Sequence, residues 1–265
     1  MYNHRTSARA RLLRLVLTAS VATALLAGCA ANPSRPMTTG SVASVDFDGA
    51  PPERLAASLQ QLSEAYKRKP DDKATMLYYS AALRANGQAE QAAAVLEAGI
   101  GRHRNDPEVM VAYAKSLASA GRFEQALNVV ESAINPAAPD WNALLVKGAI
   151  LDQSGRNADA RAAYQTGLKI APQQASLHAN LGLSYAMTND LDDAEASLRR
   201  AVSLRGANTK VRQNLALVVG LQGRFDEAEQ LFAAELPPEQ VASNMAYIRA
   251  LLTQQNRWDL IKGAG

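Results

Sequence analysis

Apolar and polar residues alternate along this chain with a helical rhythm, and the rhythm itself recurs. From Ala175 onward, Leu177, Leu181, Tyr185 and Met187 fall near the 3.6-residue period and predict one helix. Asn189-Asp190 supplies a turn, after which Leu191, Ala194, Leu198, Ala201 and Val202 predict a second amphipathic helix. Each helix has one apolar stripe, so the hairpin leaves both half covered. It needs copies of itself as neighbours to be stable.

Copies recur every 34 residues. Counted from the start of each unit, the eighth position holds Ser80, Ala114, Gly148, Gly182 and Ala216, all small enough to let two helix backbones approach. The fifteenth holds Gly87, Gly121, Gly155, Asn189 and Gly223, residues that accept the left-handed conformation ending a helix. The twentieth is Ala92, Ala126, Ala160, Ala194 and Ala228; the twenty-fourth is a large apolar residue, Leu96, Val130, Tyr164, Leu198 and Phe232. Together they predict an all-α chain with five units at 73–106, 107–140, 141–174, 175–208 and 209–242.

Period and spacing resemble the tetratricopeptide repeat (TPR) over residues 73–242. That resemblance implies a right-handed superhelical solenoid. The chain departs from it at position four, where the usual Trp is Met76, Met110, Leu144, His178 and Arg212, and at position thirty-two, where Pro survives only as Pro172. Residues 53–72 read as a capping half repeat, in which Ser58, Leu62, Ala65 and Pro70 match positions twenty, twenty-four, twenty-seven and thirty-two. Pro237-Pro238 stops the fifth unit. Val241, Met245, Ile248 and Leu252 then predict a closing helix from near 239, so that 243–265 is cap and tail; Trp258 has no assignable contact.

Residues 1–28 read as an export signal. Arg5, Arg9, Arg11 and Arg14 precede an apolar core, Leu15 to Ala27, that is too short to span about 30 Å of hydrocarbon. Leu26-Ala27-Gly28-Cys29 resembles a bacterial lipobox, which implies cleavage before Cys29, a thioether-linked lipid on its sulfur and an acyl chain such as palmitate on its amine. An ordinary cleaved signal with an incidental cysteine is the alternative. Cys29 is the only cysteine, so no intrachain disulfide can form. Two or more acyl chains hold a protein stably at a membrane. Ala30, in place of an aspartate after the cysteine, favours the periplasmic face of the outer membrane in the bacterial envelope. Residues 29–52, rich in Pro, Ser and Thr, read as a tether that averages about 25 Å end to end.

Charge changes meaning once the signal is set aside. The whole chain is +3 with pI near 9.0, but without the four signal arginines 24 basic residues face 25 acidic ones, a net of −1. No Lys/Arg cluster remains, so nucleic acid is excluded as a partner. Nor is there HExxH, GxSxG, a P-loop or GxGxxG, and His103 and His178 have no ligand at metal spacing. The reading is therefore a non-enzyme with no catalytic residue, metal, cofactor or small-molecule substrate.

Protein or peptide binding is what remains. In TPR arrays the first helices line the concave face, and an Asn at position six often pairs with a ligand's backbone. Here that position is Tyr78, Ala112, Val146, Asn180 and Asn214. Asn180 and Asn214, with Lys210, Gln213, Leu183 and Leu217, make a candidate groove, since an amide both donates and accepts. The alternative is that the two Asn are retained without a ligand. A carboxylate clamp would need cations paired across repeats, and only Lys210 is placed for one. Trp141, opening the third unit, reads as helix-start packing or a surface anchor.

Lipobox, tether and five repeats, with Arg212 to Ala228 and the following Leu236-Pro237-Pro238-Glu239-Gln240, together resemble the TadD-type lipoproteins of Flp (Tad) pilus assembly. That likeness implies a membrane-anchored scaffold whose partners belong to the pilus secretion machine, such as its outer-membrane secretin. The alternative role is a general envelope TPR lipoprotein assisting outer-membrane protein or cell-wall assembly.

Overall fold

Helix ends in this chain are set locally, by a polar cap in front of each first helix and a left-handed residue behind it. The computed structural model describes Phe47 and Ala50–Gly263, with side chains as far as Thr253, all within one unit, Val45–Gly265. The signal, Cys29 and most of the tether lie outside the described residues, as does the side chain of Trp258. Twelve helices are described, and no strand. Helix α1 is Pro52–Arg68. Five hairpins follow: α2 (Lys73–Ala85) with α3 (Ala89–Ile100), α4 (Pro107–Ser119) with α5 (Phe123–Ala133), α6 (Trp141–Gln153) with α7 (Asn157–Ile170), α8 (Ala175–Met187) with α9 (Leu191–Val202), and α10 (Thr209–Leu221) with α11 (Phe225–Ala233). Helix α12, Pro238–Gly263, ends the array. Among the described residues no helix is long and apolar enough to cross a membrane.

Four of the five first helices begin under a side-chain cap. Asp72 accepts from the Thr75 amide at 2.9 Å, Asp106 from Glu108 at 3.0 Å, Asp140 from Ala143 at 3.2 Å and Asn208 from Val211 at 3.1 Å. Each first helix ends in the same way. Gly87, Gly121, Gly155, Asn189 and Gly223 all have positive φ, between 64° and 84°. The next amide then reaches back over the turn: Gln88 to Leu83, Arg122 to Leu117, Arg156 to Leu151, Asp190 to Tyr185 and Arg224 to Val219, at 2.8 to 3.2 Å. Five identical turns give five identical hairpins.

Packing fills the stripes that the caps delimit. Ala92, Ala126, Ala160, Ala194 and Ala228 are fully buried, as are Leu96, Val130, Tyr164 and Leu198. The small eighth position is where the two helices come closest. A Cβ on Gly182 would lie 2.9 Å from the Ala194 carbonyl oxygen, and one on Gly148 would lie 2.3 Å from the Tyr164 ring. Position four docks onto the end of the second helix. Buried Met76 packs on Gly99, and Arg212 donates to Glu235 at 2.5 and 3.0 Å in place of the missing indole.

Two stripes differ from the sequence pattern. Met187 is 59% exposed, because at about 100° per residue it has rotated off the line through Leu177 and Leu181. In α1 the buried residue is Leu55, with Leu59 and Tyr66 packed on the core and the Tyr66 ring 5.5 Å from that of Tyr79. Ser58, Leu62 and Ala65 are only half-buried. Trp141 is half-buried and packs against the core. In α12, Val241, Met245 and Ile248 are buried, with Leu252 partly so.

Successive first helices touch one another: α2 meets α4, α4 meets α6, α6 meets α8 and α8 meets α10. Successive second helices do not. Spacing is therefore tighter along the first helices, which form the inner layer of an all-α solenoid.

Candidate peptide groove on the first helices

A cavity of about 220 Å³ opens on the inner layer and crosses four first helices. Its floor is apolar, from Leu145, Val146 and Ala149 on α6. Arg84 of α2 and Lys115 of α4 stand at one end, and Asn180 of α8 at the other, with Gln153 beside them. In repeat numbering the lining is position twelve in the first unit, nine to thirteen in the second, five to thirteen in the third and six in the fourth. The groove thus runs diagonally over the repeats rather than along one position.

This geometry takes in Asn180 among the six residues singled out as a groove, while the rest of the lining lies upstream. The Asn180 amide nitrogen donates to the Ser176 carbonyl of its own helix at 2.9 Å, which leaves its side-chain oxygen for a partner. Asn214, Gln213, Leu183 and Leu217 are half-buried, and Lys210 is exposed at the start of α10. Two cations from neighbouring repeats, Arg84 and Lys115, are among the lining residues. Comparing one position between units misses them, because Arg84 is twelfth in its unit and Lys115 ninth. The signal that finds them is an offset of three positions between the first unit and the second.

A second cavity, about 350 Å³, lies between α5, α6 and α7. Two ion pairs edge it, Lys147 with Glu131 and Arg156 with Asp159, both at 2.8 Å. Those charges neutralise each other, so this hollow offers a ligand no unbalanced group.

Beneath the inner layer lies a polar cluster that periodicity does not reveal. Asp152 is 8% exposed. It accepts from Ser184 at 2.7 Å, from Asn157 at 2.8 Å and from the Tyr164 hydroxyl at 2.9 Å. Burial first, and the neighbouring carboxylate second, push the Tyr164 hydroxyl far above the usual phenol range, so it remains a donor. Ser184 is on α8 and Asp152 on α6, so the cluster fastens the fourth repeat to the third. The α8 helix also feeds two apolar clusters, Leu177 and Leu181 into one and Ala179 into the other. Its rotation is therefore fixed by polar contacts as well as apolar ones.

His103 and His178 both face backbone carbonyls. His103 Nε2 is 3.1 Å from the Asp71 carbonyl oxygen, and His178 Nε2 is 3.0 Å from that of Pro172. Among the described residues no group of three or more His, Cys, Asp or Glu is arranged to hold a metal.

Tetratricopeptide-repeat profiles match residues 83–148, 145–210 and 179–245, spanning more than half of the chain. The chain belongs to the tetratricopeptide repeat family. Such arrays are typically protein-interaction scaffolds, and the inner groove is read in that light. No curated protein matches this TPR chain. Among solved structures it is similar to a thermophilic TPR protein of Thermus thermophilus, at 21% identity and a TM-score of 0.55, over 74% of this chain and 99% of that one. A tetratricopeptide repeat protein from Parabacteroides merdae aligns at 16% identity and 0.55, over 77% and 81%. PilF of Pseudomonas aeruginosa aligns at 12% identity and 0.51, over 69% and 83%. At these identities the likeness is one of fold.

Proposed function

We propose that this TPR protein is a lipid-anchored scaffold for assembly of Flp (Tad) pili, holding a segment of a pilus-machine component such as the secretin in its inner groove. The observation that carries the reading is the groove itself, continuous over four first helices, which suits an extended chain better than a compact ligand. Support for the pilus assignment comes from the likeness of Arg212–Ala228 and Leu236-Pro237-Pro238-Glu239-Gln240 to TadD-type lipoproteins. The Leu26-Ala27-Gly28-Cys29 motif supports attachment through Cys29 to the periplasmic face of the outer membrane.

Photo-crosslinking groups introduced at Leu145 and Asn180 in intact cells test the reading. The secretin or another pilus-machine protein is the expected adduct, in the outer-membrane fraction. Labelling with a palmitate analogue should mark the native chain and not Cys29→Ser. Adducts with outer-membrane protein or cell-wall assembly factors, in cells that still make pili without this chain, would move it to general envelope duty.

A further inference from the structure

Among the described residues the array begins on a second helix and ends on a first one. Helix α1 carries Ser58, Leu62 and Ala65 at positions twenty, twenty-four and twenty-seven, and it packs on α2 as α3 does on α4. Helix α12 is in register with a first helix when counted from Glu239. Its Val241, Met245 and Ile248, at positions three, seven and ten, are buried as Val211, Leu215 and Val218 are in the fifth unit. Half a repeat therefore stands at each end, and the two halves are of opposite kind.

What sets these halves apart is the face on which a first helix meets its second. In all five units position eight is buried, because positions twenty and twenty-four lie against it. A Cβ on Gly182 would be 2.9 Å from the Ala194 carbonyl oxygen and 2.7 Å from Leu198 Cγ. In α12 position eight is Ala246, and it is exposed, as are Ala242 and Ala250 at positions four and twelve. On α1, Ser58 and Leu62 are half-buried. Elsewhere position twenty is fully buried, and position twenty-four is at most 3% exposed.

From this complementarity we infer that copies of the chain stack head to tail, α12 of one copy taking α1 of the next as its second helix. Ala246 then meets Ser58 and Leu62 as Gly182 meets Ala194 and Leu198. The five hairpins within the chain are the template for this contact, which continues the solenoid across the junction. It is independent of what occupies the inner groove. Each copy offers one face of each kind, so the contact is heterologous and produces an open row rather than a closed pair. One helix face is a small interface, so rows form where copies are concentrated.

Cysteine cross-linking of the full chain in intact cells tests this. One copy carries Ser58→Cys, and a differently tagged copy carries Ala246→Cys. Both substitutions are close in size to the native residue. They stand at the positions where paired helices come closest, as a disulfide requires. Mild oxidation should give an adduct bearing both tags, and a chain with both substitutions should give a ladder of dimers, trimers and longer rows. The native chain, which has only Cys29, is the background control. Adding Ala242→Arg and Ala250→Arg should abolish the mixed adduct with helical circular dichroism unchanged, since both residues are exposed. A mixed adduct that survives the two arginines overturns the inference. So does cross-linking of the Ala246→Cys copy only to itself, which would make the contact symmetric, or only to a different protein. Absence of any adduct above the native background overturns it as well.

Discussion

Removing the Ser184 hydroxyl should loosen the middle of the array by an amount the structure lets one work out. The hydroxyl is fully buried and donates to Asp152 at 2.7 Å, across the boundary between the third and fourth repeats. A hydrogen bond to a charged acceptor contributes about 1.5–3 kcal/mol, and in Ser184→Ala the carboxylate keeps Asn157 and Tyr164 as donors. The expected loss is about 2 kcal/mol, or roughly 4–8 °C in Tm for an array of this size. Asp152→Ala should cost more, about 3–5 kcal/mol, because it strands the buried Tyr164 hydroxyl and leaves that of Ser184 only the Asn157 carbonyl at 3.5 Å. In the double variant the second change adds almost nothing, so the coupling energy is about 2 kcal/mol. Asp152→Asn is milder, since its oxygen still accepts from Ser184 and Asn157 while its amide can donate to the Tyr164 oxygen. Urea denaturation followed by circular dichroism at constant m-value gives all four free energies. A coupling below about 0.5 kcal/mol would refute the claim that this carboxylate fastens the two repeats.

Gly182→Ala should destabilise despite better helix propensity. Alanine gains about 1 kcal/mol, but its Cβ meets the Ala194 carbonyl oxygen at 2.9 Å, and overpacking costs about 1–3 kcal/mol. A raised Tm would contradict the close approach of α8 and α9. Asn189→Gly should stabilise modestly, by under about 1 kcal/mol, because Asn189 sits at φ 64° where its four counterparts are glycine; Asn189→Ala should do the reverse. Acid should weaken the array through Glu195. Burial opposes its charge, but hydrogen bonds from Arg199, Arg224 and Gln222 outweigh that and hold the carboxyl below its ordinary value of 4.5. A depressed folded value means stability is present above 4.5 and lost as pH falls through the folded value, so Tm should stay level down to about pH 5 and then drop. Arg224→Gln should flatten that drop, and an unchanged acid limb would show that the pair does not contribute.

Repeat proteins are legible in one dimension because each unit touches only its neighbours, so the rules at positions eight, fifteen, twenty and twenty-four are local rules. Gly87, Gly121, Gly155, Asn189 and Gly223 could be placed in left-handed turns from spacing alone, and Ala92 through Ala228 in the closest contacts, since hairpin geometry repeats whenever those residues do. Asp72, Asp106, Asp140 and Asn208 each stand one residue before a unit, but their role as caps came from the structure. Alignment between repeats is different in kind. Which side chain of α2 shares a groove with which side chain of α8 depends on the rotation accumulated over three interfaces, and no single unit encodes that sum. Arg84 and Lys115 therefore line one cavity on a diagonal that a same-position ladder through Asn180 and Asn214 does not follow. Asp152, Tyr164 and Ser184 are likewise three ordinary residues until α6, α7 and α8 pack. Burial then makes one carboxylate and its donors indispensable to each other.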